Sequence, residues 1–424
     1  MPITKAAGQI TLQYQTGDTK GYSWATAWTL EDIYNTAVAE GWTDDFKKEG
    51  LVYTTNCEIR ILNAATFVHF YAATIQWTAA VGSWLIDVAW AYFDIGTDGT
   101  VERQGCTMIN NCGVDKSYRL FGRIRIYDTT FTGDRLPFGN GAIYPCGVAD
   151  YQLILERCTF INMTYCPSFN SSGASYANVI NRDSFVLNCN YGIQLYGTEF
   201  YELSGLRAIG KIFTLIGNTN MTVVGRNWNC PRGTSDFRVY SGSPGKLVTL
   251  KLIDCITGTL NPRVTYATSM VGDKGETLWY STFDFKIENG AGATVQIYNA
   301  ENELVLDAEL DEAGELTGQE ILYRIYSQEK IGDSTWITIP NKYLHPFKAV
   351  VTKEGLQQLE IPGITITEGT KTIIRGSLTL PTYVDRHIQG AIQKKSLEGS
   401  IAPRQITGTI QVKKASSARF QSRS

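Results

Sequence analysis

Six carboxylates, Asp128, Asp134, Glu156, Asp183, Glu199 and Glu202, crowd one stretch of the chain. Two of them facing one groove at about 5 to 9 Å would permit glycoside hydrolysis, one protonating the leaving oxygen while the other attacks or activates water. No motif fixes such a spacing, and acids in strand-rich sequence are commonly turn formers and solvated caps, which is the expectation adopted for them. Histidine is confined to His69, His345 and His387, each in a separate segment, so a histidine general base has little support. His69, within Phe67-Val-His-Phe-Tyr71, reads as a partly buried strand residue. Cys106 and Cys112 stand six apart and Cys158 and Cys166 eight apart, wider than the two to four usual between neighbouring zinc ligands, and no histidine completes a set. Small buried thiols explain them better. Phosphate-loop, nucleophile-elbow, zinc-protease and calcium-loop signatures are absent from the sequence. No residue is singled out as catalytic, cofactor-binding or metal-ligating, and no cofactor is expected.

Two further groups deserve weighing. The stretch from Glu301 to Glu320 carries eight carboxylates and no Lys or Arg. It would suit Ca²⁺, yet its strand-like alternation favours acids that keep an exposed edge from pairing with other chains. Trp24, Trp28, Trp77, Trp84 and Trp90 would offer ring faces to a sugar, although most large aromatics in a strand-rich chain fill its interior.

The elements that must position these groups are mostly strands. Of 424 residues only 19% are charged, whereas 12% are aromatic and 40 are Gly, a balance that suits strands and turns over solvated helices. Lys and Arg number 38 against 41 acids, a formal charge of -3, which leaves no basic field for a nucleic acid. The most apolar stretch, Trp77 to Ile95, is interrupted by Asp87 and Asp94 and reads as buried strand rather than membrane span. The first residues lack a secretory pattern, and nine cysteines, an odd number ending at Cys255, suit free thiols made in a reducing cytoplasm. One helix is expected, from the apolar spacing of Leu30, Ile33, Tyr34, Ala37 and Val38, with Thr29 as N-cap and Gly41 as stop.

From Leu51 to about Trp279, short apolar runs recur between Asn, Gly, Asp, Ser and Thr clusters. Cys106-Thr-Met-Ile-Asn110 returns as Cys158-Thr-Phe-Ile-Asn162, and Met108, Phe131, Phe160 and Phe185 follow at intervals of 23, 29 and 25. An irregular period in the twenties is what a right-handed parallel β-helix gives, each coil stacking equivalent side chains on the last. A β-sandwich or propeller is the alternative. The expected organisation is all-β: residues 1–50 with a capping helix, 51–282 as β-helix, 283–368 as a small antiparallel β-sandwich and 369–424 as strand repeats with a basic tail.

The alternating text from Ala293 to Thr317, with turns at Asn299 to Asn302 and Asp311 to Gly314, followed by Pro346-Phe-Lys-Ala-Val-Val-Thr-Lys-Glu-Gly355, is similar to the prealbumin-like β-sandwich family. That resemblance implies non-enzymatic scaffolding. Past it, Ile374-Arg-Gly-Ser-Leu378, Ile388-Gln-Gly-Ala-Ile392, Leu397-Glu-Gly-Ser-Ile401 and Ile406-Thr-Gly-Thr-Ile410 repeat one aliphatic-x-Gly-x-aliphatic form. These strings resemble segments of tailed-bacteriophage structural proteins, and a β-helix beside small sandwiches resembles tail spikes, tail fibres and head fibres. The resemblance implies a non-enzymatic virion protein made in the host cytoplasm, a homotrimer whose partners are other virion proteins, itself and a host-surface glycan, with neither nucleic acid nor membrane. A polysaccharide-depolymerising tail spike is the alternative.

Overall fold

The computed structural model describes residues 3–79, 84–96, 105–112, 116–133, 143–145, 153–163, 168–169, 179–189, 192–196, 201–217, 220–239, 245–257, 263–264, 271–332, 335–381 and 422–423. The fold is all-β, with one α-helix among those residues. That helix, Leu30–Glu40, starts and stops where its sequence dictates. Thr29 accepts from the Asp32 backbone N–H, Asp32 accepts from the Thr29 N–H at 2.9 Å, and Gly41 ends the helix at φ 73°. Leu30, Ile33 and Ala37 form its buried stripe.

The chain divides into two compact units: residues 1–250, 256–276 and 327–338, and residues 251–255, 277–326 and 339–424. In the first unit the chain alternates between two ladders of mainly parallel strands. One ladder carries Tyr53, Ile75, Met108, Phe131, Phe160, Val186 and Ala208 in consecutive register. All seven are buried, and the Phe131 and Phe160 rings stack at 5.6 Å and 13°. Burying a side chain of this size removes enough apolar surface to contribute about 1.5–3 kcal/mol. The sequence intervals thus locate Met108, Phe131 and Phe160 correctly, but the partner of Phe160 is Val186, one residue past Phe185. Phe185 faces the other way because strand side chains alternate.

The other ladder joins Trp84–Ile95, Ser117–Tyr127, Leu153–Glu156, Val179–Arg182, Tyr201–Ser204 and Met221–Arg226. Trp77 and the inward residues of Trp84–Ile95 are buried in strands, as the apolar stretch predicts.

The second unit holds a four-stranded antiparallel sheet of Leu304–Glu309, Thr294–Tyr298, Phe347–Thr352 and Leu359–Ile364, with Val295, Ile297, Ala349, Val351 and Ile361 facing its core. The acids of Leu304–Glu309 lie on a strand exposed or half-exposed throughout. The first Gly-centred repeat is a strand, Thr372–Ser377, paired in parallel with Phe283–Glu288, and it buries both aliphatics, Ile374 and Leu378. The other three repeats lie outside the described residues.

Candidate functional site

The acids singled out in the sequence fall at corners. Where the chain leaves one ladder for the other, Asp128, Arg157, Asp183, Gly205 and Asn227 each adopt a φ between 48° and 63°. The corners stack: the N–H of Asp128 donates to Glu156 O, of Arg157 to Arg182 O, of Asp183 to Ser204 O and of Gly205 to Arg226 O, all at 2.8–3.0 Å. Asp and Asn tolerate left-handed backbone better than most residues, which explains their recurrence. At Gly205 the fit is tighter still, since a Cβ would lie 2.0 Å from Asp183 Oδ1.

Asp128 and Asp183 are therefore two strand spacings apart, about 9.5 Å, and Arg157 stands between them. Its guanidinium donates to both Asp128 oxygens, at 2.8 and 3.0 Å, and pairs with Glu156 as well. Asp128 and Glu156 are held as fixed anions rather than as a proton donor and acceptor. Asp134, Glu199, His387 and Cys166 lie outside the described residues, as does the side chain of Glu202.

His69 is half-buried in a strand, as expected, its Nε2 donating to Gly96 O at 2.7 Å. The described thiols are free and, Cys112 apart, buried. Burial pushes Cys106, Cys158 and Cys230 up to about 12. No cluster suited to a metal ion occurs among the described residues. No helix among them is long and apolar enough to cross a membrane.

What the sequence did not single out is the outer face of the strands around Trp84–Ile95. Three arginines project there from Ser117–Tyr127. Arg119 donates to both Asp87 oxygens at 2.6 Å, and Arg125 grips Asp94 through both nitrogens. Arg60 extends the first pair, its Nε lying 3.5 Å from Asp87 and 3.7 Å from Glu58. Glu58 and Asp87 are two acids near one nitrogen, but both are almost fully covered. Burial raises the Glu58 and Asp94 carboxyls above their ordinary values, against the pull of Gln9 on the first and of Arg125 on the second.

Aromatic rings stand among these pairs. Phe67 and Tyr92 stack at 4.1 Å and 6°, Trp24 meets both edge-on, and the Arg125 guanidinium lies 4.7 Å over the Trp24 ring. Arg119 covers Trp84 at 5.3 Å. Of the five tryptophans proposed as a sugar platform, Trp28 and Trp77 are core, Trp84 is half-buried, and Trp24 and Trp90 are exposed.

Trp90 is exceptional in its backbone, with φ 71°. Ala89 pairs with Phe121 and Ala91 with Gly122, so Trp90 is an extra residue bulged from the ladder. Gly122 is required opposite, because a Cβ there would sit 2.2 Å from Ala91 O. The only sequence signal for this bulge is a bulky residue preceding Ala91 in a strand paired with an isolated Gly.

An all-β chain with parallel ladders, stacked polar corners and an aromatic–arginine face is what fold and site define. The chain matches no known family model, no curated protein and no solved structure.

Proposed function

We propose that this chain is a non-enzymatic structural and attachment protein of the tailed-bacteriophage virion type. In this reading the two ladders are the turns of a right-handed parallel β-helix, a rigid body on which the second unit's prealbumin-like sandwich is carried. Residues 369–424 join the chain to other virion proteins or to itself, as a homotrimer.

The observation that carries the reading is the corner column. A structure that repeats one polar left-handed corner and ties its acids to arginine spends those acids on stacking coil upon coil, which suits an architectural shaft. The docked first Gly repeat supports the role given to the other three, since Ile374 and Leu378 show how an aliphatic pair four residues apart anchors one short strand.

The test is to image assembled particles carrying the chain with and without residues 369–424, and to incubate the purified chain with host polysaccharide. Location on the virion, lost with the deletion, and no new reducing ends or unsaturated sugars are expected. Incorporation of the truncated chain, or cleavage abolished by Asp128→Ala or Asp183→Ala, would overturn the reading.

A further inference from the structure

We propose that the aromatic–arginine face around Trp90 binds a glycan that carries carboxylate groups, one sugar ring lying on an exposed indole and its carboxylate engaging Arg123. The proposal rests on the attachment reading above for its biological setting and on the following geometry for its chemistry.

Trp90 is held outward at a backbone cost. A bulky residue in the left-handed region is a rare arrangement, and such strain gathers at binding surfaces where the surrounding structure fixes a side chain for use. Trp28, Trp77, Trp228 and Trp279 show where this chain puts a tryptophan that serves packing: each is 1% exposed or less, against 51% for Trp90. Gly122 makes the bulge sterically possible, so the protrusion is built by two strands together.

The rings nearby are rigid. Trp24, 37% exposed, is braced edge-on by Phe67 and Tyr92 and capped by Arg125. Rigid aromatic faces lose little conformational freedom on binding, and they suit the apolar C–H side of a pyranose.

Charge then selects among glycans. Arg119 and Arg125 are committed to Asp87 and Asp94. Arg123 is exposed, and its partner among the described residues is a neutral one, the Tyr92 hydroxyl at 2.7 Å, with the guanidinium 5.0 Å over the Tyr92 ring. It is in register with Tyr92, one step along the strand from the bulge. A planar guanidinium without a carboxylate, beside an exposed indole, recognises an anion that fits its fork. The face alternates rings with ion pairs across strands about 4.8 Å apart, close to the advance of one sugar per strand. A protein partner would favour a continuous apolar patch instead.

The full-length chain should be tested on a panel of uronate- and sialate-bearing oligosaccharides, with their carboxylate methyl esters as neutral controls. Binding to at least one acidic member is expected, at least tenfold stronger than to its ester. Trp90→Ala should weaken both forms about tenfold and Trp90→Phe should restore most of the loss, whereas Arg123→Gln should weaken only the acidic form. Circular dichroism identical to the parent keeps misfolding out of the comparison. No binding to any member, equal binding to acid and ester, or binding unmoved by both Trp90→Ala and Arg123→Gln would overturn the proposal. The two readings fail separately: a chain located on virions that binds no panel member ends the glycan inference alone, and a binding chain never found on particles ends the virion reading alone.

Discussion

Replacing Gly122 with alanine should expose how tightly the Trp90 bulge is built. The added methyl would sit 2.2 Å from the Ala91 carbonyl oxygen and 3.2 Å from its nitrogen. Both are backbone atoms, so no flexible tip can swing aside, and a strand must shift by about 1 Å to restore ordinary contact. Overpacking of this kind costs about 1–3 kcal/mol. The lower entropy of unfolded alanine returns about 0.4–1 kcal/mol, leaving a net loss of about 1–2 kcal/mol. For a unit of this size that corresponds to a fall in melting temperature of about 2–8 °C.

Thermal unfolding followed by circular dichroism reads the shift. The same measurement on Trp90→Gly gives the complementary sign. Glycine accepts the left-handed backbone, so Trp90→Gly should be more stable than Trp90→Ala by about 1 kcal/mol, although both lose the same indole. A Gly122→Ala protein melting within about 1 °C of the parent, or a Trp90→Gly protein less stable than Trp90→Ala, would show that the bulge does not hold Trp90 as described.

Two further outcomes are expected. Cys106, Cys158 and Cys230, with thiols pushed up to about 12 by burial, should resist iodoacetamide in the native protein at pH 8 and react only on unfolding, which peptide mass spectrometry will resolve. His345 lies 6.4 Å from the Tyr323 ring and 5.4 Å from the Tyr343 ring, its Nδ1 buried without a hydrogen-bond partner, and burial lowers its pKa below 6.5. The unfolded chain therefore takes up a proton as pH falls through 6.5 while the folded chain resists. Stability should decline from pH 7 towards the folded pKa and then level off, a slope that His345→Gln should reduce in urea titrations.

The sequence by itself determined whatever depends on neighbours along the chain. Thr29, Asp32 and Gly41 bound the helix because capping acts within a few residues. Met108, Phe131 and Phe160 were legible as one column because large apolar residues recurred with similar flanking text, and the pairing confirms them. The same intervals missed Val186 by one residue, since loops of variable length hide the phase and a one-residue slip reverses the face.

Tertiary structure alone decided the chemistry of the polar groups. Arg157 and Asp128 are 29 residues apart, and Arg119 and Asp87 are 32 apart. Each pair meets only because strands one coil apart lie side by side, so an acid that stood unpartnered in the sequence becomes one end of an ion pair. Trp90 makes the same point: its exposure follows from a register shift between two strands and from the absence of a Cβ at Gly122, a relation no local pattern records.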